Sequence, residues 1–178
     1  RGFAPLHLVL APMNLYQVGS RASARGRTPP VSAPPCRAAL GLFCLSPYTP
    51  LLFMGQEWAA SSPFQCFTDH ELELGRKITA GRREEFRDFA EFRDPTMRAQ
   101  IPDPQAEATF LRSKLHWEEV ATKAHAPTLL LYRELLRLRR TLPALQNRGR
   151  ENWKVSKSNE GIFRLESGLT GAGARCLV

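Results

Sequence analysis

Two short apolar segments, Leu6–Leu10 and Leu51–Met54, lie on either side of a longer apolar stretch, Cys36–Leu45. Each short segment is bounded by proline or glycine and has the length of a buried strand. The longer stretch is apolar almost all round, as in a helix that packs against other elements. The order strand, loop, helix, strand forms a βαβ unit, whose right-handed crossover builds a parallel sheet or barrel. The sequence therefore predicts an α/β fold, with its chemistry at the carboxyl ends of the strands.

Three further helices are predicted after this unit, at Arg82–Phe92, Ala106–Trp117 and Ala126–Leu142. The last of them has leucines at helical spacing beside charged residues, so one of its faces should belong to the core. The helix predicted at Arg82–Phe92 would place Phe86, Phe89 and Phe92 on one face. Residues 59–105 are otherwise rich in charge and in turn residues, and a stretch of this length predicts a functional or loosely ordered loop.

The sequence pattern changes after Pro143. Residues 153–156 and 161–166 alternate apolar and polar side chains around a turn-like Ser-Asn-Glu-Gly, which predicts a β-hairpin. We therefore expect an α/β part over residues 1–147 and the start of an all-β domain over residues 148–178.

The chain of 178 residues has a formal net charge of +8, but its arginines are dispersed along the sequence. This favours an arginine-rich surface over a basic nucleic-acid-binding protein, an alternative that would concentrate charge on one face. No stretch approaches the roughly 20 apolar residues of a membrane-spanning helix. The four cysteines form no CxxC pair, which favours reduced thiols in a cytoplasmic protein and predicts no metal site.

Carboxylates follow the second predicted strand. Hydrolysis of a glycosidic bond without metal requires two placed carboxyl groups, and Glu57 would emerge at the mouth of a barrel beside the indole of Trp58. Sugar sites often pair an aromatic platform with a carboxylate, but a glutamate that closes a loop would have the same spacing. Asp69 and His70 form a second polar pair in an aromatic setting. A capping or Asx-turn aspartate is the alternative for that pair.

Residues 49–58, Thr-Pro-Leu-Leu-Phe-Met-Gly-Gln-Glu-Trp, are similar to the stretch around the eighth barrel strand of the malto-oligosyltrehalose trehalohydrolases. These are glycoside hydrolases of the α-amylase superfamily. The similarity continues through residues 67–70, 103–117 and 132–140. It implies the C-terminal part of a (β/α)8 TIM barrel, followed by the start of a small all-β C-terminal domain. The resemblance thus identifies the chain as a C-terminal fragment of such an enzyme.

The family hydrolyses the α-1,4-glucosidic bond next to the trehalose end of maltooligosyl-trehalose, and it needs no organic cofactor. The resemblance therefore implies maltooligosyl-trehalose or a related α-glucan as substrate, with a functional link to a maltooligosyl-trehalose synthase. It implies no metal, no nucleic acid and no membrane partner. The residues expected to bind substrate are Asn14, Gln17, Glu57, Trp58, Asp69 and His70.

The sequence departs from the family pattern near its beginning. Family members carry Asn-His-Asp-Gln after the seventh strand, and the aspartate there is the third catalytic carboxylate. Leu15 and Tyr16 occupy the histidine and aspartate positions in this chain. A phenol with a pKa near 10 is uncharged at neutral pH, so it cannot stabilise positive charge on the sugar ring. The nucleophile and the general acid belong to earlier strands. We therefore expect no catalytic residue here and an inactive chain; a non-catalytic carbohydrate-binding remnant is the alternative.

Overall fold

The computed structural model describes residues 4–13, 34–157, 162–170 and 176–177. In chain order, its helices are α1 (Pro34–Leu45), α2 (Leu72–Glu85), α3 (Pro95–Ala99), α4 (Glu107–Ser113), α5 (Ala126–Thr141) and α6 (Pro143–Gln146). Its strands are β1 (Val9–Leu10), β2 (Thr49–Pro50), β3 (Trp153–Lys157), β4 (Phe163–Ser167) and β5 (Cys176–Leu177). Within the described ranges, residues 4–12, 34–59 and those from 120 onward form a first compact unit. Residue 13 and residues 60–119 form a second unit.

β1 and β2 pair in parallel and α1 connects them, so the predicted βαβ unit is confirmed. The prediction of a strand at Leu51–Met54 is wrong in position. β2 ends at Pro50, and one further ladder bond joins the Leu51 amide to the Leu10 carbonyl oxygen at 2.9 Å before the chain turns away. The strands are also less buried than predicted, because Val9 is 62% exposed and Leu51 is 52% exposed.

α1 begins at Pro34, so both Pro34 and Pro35 fall in its first turn. A proline in the first turn is tolerated because its missing amide would have no helical acceptor. The helix packs against α5, which in turn contacts α6. The leucine face predicted for α5 is confirmed, since Leu135 is buried and its neighbours in the stripe pack against the core. The buried members of this core are Leu40, Phe43, Cys44, Leu45, Tyr132, Leu135 and Leu145.

One arginine of α5, Arg139, lies inside the first unit with only 6% of its surface exposed. Its guanidinium donates hydrogen bonds to the carbonyl oxygens of Cys44, at 2.9 Å, and of Ser46 and Tyr48. Cys44 belongs to the last turn of α1, whose carbonyls have no amide partner within the helix and carry partial negative charge. The prediction of a solvated arginine surface is therefore wrong for Arg139, whose charge caps a helix.

β3, β4 and β5 form an antiparallel sheet in that order, which confirms the predicted hairpin; its turn lies outside the described residues. Asn152 is 1% exposed and joins this sheet to α6. Its Nδ2 donates to the carbonyl oxygens of Ala144 and Asn147 at 3.1 and 2.8 Å. The domain boundary expected near residue 148 stays a prediction.

The second unit contains α2, α3 and α4. The sequence pattern does not predict α2, because the helix is mostly exposed and has no apolar stripe. Pairs on its surface support it instead, such as the 2.8 Å ion pair between Glu73 and Lys77 at helical spacing. α4 confirms the short helix predicted within Ala106–Trp117, although it already ends at Ser113.

The helix predicted over Arg82–Phe92 is wrong, because α2 ends at Glu85. Its three phenylalanines nevertheless cluster. The ring centroid of Phe86 lies 5.5 Å from that of Phe89 and 5.8 Å from that of Phe92, across a turn and a short 3-10 segment. Phe86 and Ile101 form the small buried core of this unit. Among the described residues, none of the helices has the length and apolar character needed to cross a membrane.

We expect Arg139→Met to lower the free energy of unfolding by about 3–5 kcal/mol, because three carbonyl oxygens lose a charged donor and two of these bonds are buried. Urea unfolding followed by circular dichroism would measure the change. Arg137→Met is the matched control, since Arg137 is exposed and forms an ion pair with Glu134 on the surface of the same helix. An equal response of the two variants would contradict the buried role of Arg139.

Candidate functional site

The chain turns sharply after β2, and this turn presents Glu57. Gly55 and Ala59, which flank a short 3-10 turn, have φ values of 80° and 57°. A glycine is favoured at the first of these positions because it adopts positive φ without strain. The amide of Gln56 donates to the Phe53 carbonyl oxygen at 2.9 Å, and the Gln56 Oε1 accepts the Phe53 amide at 3.2 Å. These reciprocal bonds fix the turn.

α5 holds the same turn from inside the first unit. The Gln56 Nε2 donates to the Tyr132 hydroxyl at 2.7 Å, and both residues are buried. Just before α5, His125 Nδ1 donates to the Trp58 carbonyl oxygen at 2.9 Å. Burial raises the pKa of Tyr132 to about 12, so its phenol is neutral at physiological pH. The hydrogen bond between Gln56 and Tyr132 is therefore one between two uncharged groups.

Glu57 is half-buried in the turn that follows β2. Its Oε2 is buried and has no hydrogen-bond partner among the described residues. Such an oxygen is unfavourable unless something donates to it. The carboxylate can therefore accept a hydrogen bond from a hydroxyl that reaches it. Trp58 is only 2% exposed, so its ring presents no open face; a substrate contact by Trp58 stays a prediction.

In the second unit, the loop that carries Asp69 and His70 is tied to the loop before α4. The Thr68 amide donates to the Pro104 carbonyl oxygen at 2.9 Å. The side chain of Gln105 accepts the Thr68 hydroxyl through its Oε1 and donates through Nε2 to the His70 carbonyl oxygen at 2.9 Å. Sequence reasoning missed Gln105, because no spacing or composition signal marks it as the link between two loops.

Asp103 holds Gln105 in place. One carboxylate oxygen of Asp103 accepts the Thr79 hydroxyl at 2.6 Å and the Gln105 amide at 2.9 Å. The hydrogen bond from Thr79 is the main cause that lowers the pKa of Asp103; the Gln105 amide and the nearby charge of Arg83 act in the same direction. This carboxylate is therefore ionised at neutral pH and serves as an acceptor within the loop.

Gly75 of α2 lies directly against Gln105. A Cβ at this position would stand 2.3 Å from the Gln105 Nε2, which is closer than real Cβ atoms come to any neighbour. Alanine at this position would therefore push the amide out of its hydrogen bonds. At Gly81, on the same helix, an added Cβ would have none of the described residues within 4 Å.

Two cavities border the Asp69 loop. One has a volume of about 480 Å³, and the residues of its lining that matter here are Phe67, Asp69, Glu107 and Phe110. The other has a volume of about 550 Å³, and its charged or titratable lining residues are Asp69, His70, Arg76, Arg83 and Asp103. Both cavities lie wholly in the second unit.

The structure places the predicted site residues in different parts of the chain. The first unit holds Glu57 and Trp58, and the second holds Asp69 and His70. Four positions lie outside the described residues: Asn14, Leu15, Tyr16 and Gln17. Within the described ranges, no group of three or more His, Cys, Asp or Glu residues could hold a metal ion.

Comparisons with known proteins give one consistent relationship. No family model matches the chain. It is 52% identical over 134 residues to a malto-oligosyltrehalose trehalohydrolase of Deinococcus radiodurans, a match covering 75% of the chain and 21% of that protein. It is 42% identical over 153 residues to the protein of the same name from Brevibacterium helvolum, covering 85% of the chain and 25% of that protein. The chain thus spans about a quarter or less of the length of these curated relatives.

A solved structure extends this relationship to the fold. A crystal structure of an alpha-amylase-like protein from Salmonella typhimurium matches 92% of the chain and 27% of its own length. The TM-score is 0.75 and the sequence identity is 33%. The mixed helix-and-sheet architecture described above is therefore that of a region of an α-amylase-like protein.

Gly75→Ala should destabilise the second unit although alanine favours a helix by about 1 kcal/mol. The added methyl displaces the Gln105 side chain, whose hydrogen bonds contribute roughly 1 kcal/mol each. Hydrogen exchange of the Thr68 amide, which bonds to Pro104, is the local readout and should become faster. Gly81→Ala is the matched control and should slow exchange or leave it unchanged. The same response in both variants would contradict the role of Gln105 in linking the two loops.

The stability of the first unit should depend on the ionisation of Tyr132. The pKa of Tyr132 is raised from 10.0 to about 12, so the folded protein binds this proton more tightly than the unfolded chain does. The resulting stabilisation is complete below pH 10 and is lost as the pH rises toward 12. Tyr132→Phe should therefore flatten the fall in unfolding free energy over that pH range, as measured by urea titration. Identical pH slopes in the two proteins would contradict the buried, neutral phenol.

Proposed function

We propose, from its relationship to the malto-oligosyltrehalose trehalohydrolases, that the chain forms part of a glycoside hydrolase acting on maltooligosyl-trehalose. That relationship covers a segment of about a quarter of the length of those proteins. The observation that carries this proposal is the 52% identity over three quarters of the chain. The proposed reaction is hydrolysis of the α-1,4-glucosidic bond next to the trehalose end. The proposed setting is the cytoplasm, beside a synthase that makes the substrate.

The proposed architecture is the C-terminal portion of a (β/α)8 barrel over residues 1–147, followed by the start of an all-β domain over residues 148–178. The parallel pairing of β1 and β2 around α1 supports the barrel portion. The antiparallel sheet of β3, β4 and β5 supports the all-β portion. Because barrel enzymes place their chemistry at the carboxyl ends of strands, the turn after β2 is the natural position for a substrate contact.

Glu57 is the substrate contact that the structure supports best. The residue is partly exposed and its Oε2 has no donor among the described residues, so the carboxylate has acceptor capacity left for a glucosyl hydroxyl. Asp69 and His70 remain proposed contacts on the loop that Gln105 holds, and Trp58 remains one at the turn. Asn14 and Gln17 complete the proposed set.

We assign no catalytic residue to the chain. Glycosidic hydrolysis by this chemistry requires a carboxylic acid to protonate the leaving oxygen and a carboxylate to attack or to activate water. Tyr16 stands at the position of a further family carboxylate and supplies a neutral phenol instead. The proposal is therefore substrate binding without turnover by this chain alone.

Calorimetric titration of the chain with maltotriosyl-trehalose tests the binding role. We expect binding without release of trehalose, and Glu57→Gln should weaken it about tenfold because a charge-assisted hydrogen bond is replaced by a neutral one. Glu73→Gln, at an exposed site on α2, is the control and should bind as the unmodified chain does. Absence of binding, or equal binding of a β-1,4-glucan, would contradict the proposal.

Tyr16 favours a second candidate, a carbohydrate-binding segment that has lost its part in catalysis. A chimeric protein distinguishes between the two candidate functions. The matching segment of the Deinococcus radiodurans relative would be replaced by this chain carrying Leu15→His and Tyr16→Asp. Release of trehalose that depends on these two changes supports the enzyme segment. Binding without any release supports the second candidate.

A further inference from the structure

The cavity of about 480 Å³ beside Asp69 combines aromatic rings with carboxylates. We infer that this cavity binds a single glucosyl residue of an α-1,4-glucan, as a subsite additional to the turn of Glu57. The inference rests on the proposed function for the identity of the sugar. The volume lies within the range of roughly 300–1,000 Å³ that is typical of small-molecule sites.

Two phenylalanines form the apolar part of the cavity. The ring centroids of Phe67 and Phe110 lie 5.2 Å apart in an edge-to-face arrangement, and the two residues remain 37% and 43% exposed. The ring of Phe64 lies behind that of Phe67, at 5.7 Å. A pyranose ring has a face of C–H groups, so its contact with these rings would remove apolar surface of both partners from water.

Carboxylates supply the polar part of the same cavity. Glu107 lies in the first turn of α4, three residues before Phe110, so the two side chains project from the same face of the helix. Asp69 is contributed by the opposite loop, and both acidic residues are exposed. Ionised carboxylates only accept hydrogen bonds, and the hydroxyls at the edge of a pyranose ring are donors.

The two sides of the cavity are held together before any ligand arrives. The Thr68 amide bonds to the Pro104 carbonyl oxygen, and Gln105 bonds to the loop at Thr68 and His70. A site with fixed walls loses little conformational freedom on binding, which favours affinity for a small ligand.

The charges around the cavity favour a neutral ligand. Asp69 and Glu107 disfavour an anion such as a sugar phosphate. Aromatic rings and carboxylates also attract organic cations. The ammonium group of Lys114, however, already lies 6.0 Å from the centroid of the Phe110 ring. A neutral sugar is repelled neither by these carboxylates nor by the ammonium group of Lys114.

Titration of the 178-residue chain with maltotriose, followed by amide chemical shifts, tests the subsite. We expect shifts at residues 67–69 and 106–110. Phe110→Leu should weaken this binding about three- to tenfold, because it removes the ring and keeps an apolar side chain of similar size. Phe110→Trp should retain binding, since it restores an aromatic face. Phe89→Leu is the matched control, as Phe89 is 58% exposed in the separate Phe86 cluster of the same unit.

The outcomes separate this inference from the proposed function. Unchanged affinity in Phe110→Leu, with shifts confined to the turn of Glu57, would overturn the subsite and leave the proposed function standing. Equal binding of cellotriose at residues 67–69 and 106–110 would support a glucosyl site but count against an α-glucan hydrolase. Binding of tetramethylammonium instead of maltotriose, or no shift with maltotriose, would overturn the inference. Amide shifts away from the cavity that match those of the unmodified chain establish that each variant is folded.

Discussion

The buried guanidinium of Arg139 is the interaction on which the first unit depends most. It donates to a carbonyl in the last turn of α1 and to two more on the way into β2. Tyr132 lies on the same face of α5, two turns earlier, and bonds to the turn that follows β2. One helix face therefore fixes the chain on both sides of β2, with Leu135 packed in the core between these two contacts.

This arrangement explains how so short a parallel pair can present a carboxylate in a defined place. β1 and β2 contribute two residues each, which is too little to orient a loop by strand pairing alone. The polar contacts from α5 fix the orientation of the turn after β2, and Glu57 lies in that turn. The second unit follows the same principle with a smaller apolar core. There Asp103 and Gln105 join two loops by hydrogen bonds, and the glucosyl subsite that we infer lies between those loops.

The sequence predicts those parts of the fold that have a periodic apolar pattern. The βαβ order, the leucine face of α5 and the β-hairpin are of this kind, and all three are confirmed. The sequence pattern does not predict α2, because the helix is stabilised by pairs of surface side chains and has no apolar stripe. The burial of Arg139 is not predicted either, because the position of a charged residue in a sequence carries no information about its burial.

In the candidate site, too, some features are predicted by the sequence and others are not. The sequence predicts that Glu57 follows the second strand, and in the structure Glu57 lies in the turn after β2. The unpaired Oε2 and the burial of Trp58 depend on tertiary packing, which single residues do not encode. Gln105 and Phe110 likewise acquire their roles only when loops distant in sequence come together.

Hydrogen exchange at both ends of β2 tests the role of α5 most directly. The relevant amides are Leu51, bonded to Leu10, and Gln56 and Ala59 in the turn, with Thr68 as a reference in the second unit. In Arg139→Met, the first three amides should lose protection together while that of Thr68 is retained. Faster exchange at Leu51 alone, with Gln56 and Ala59 unchanged, would contradict the claim that one face of α5 holds β2 and the turn of Glu57 as a unit.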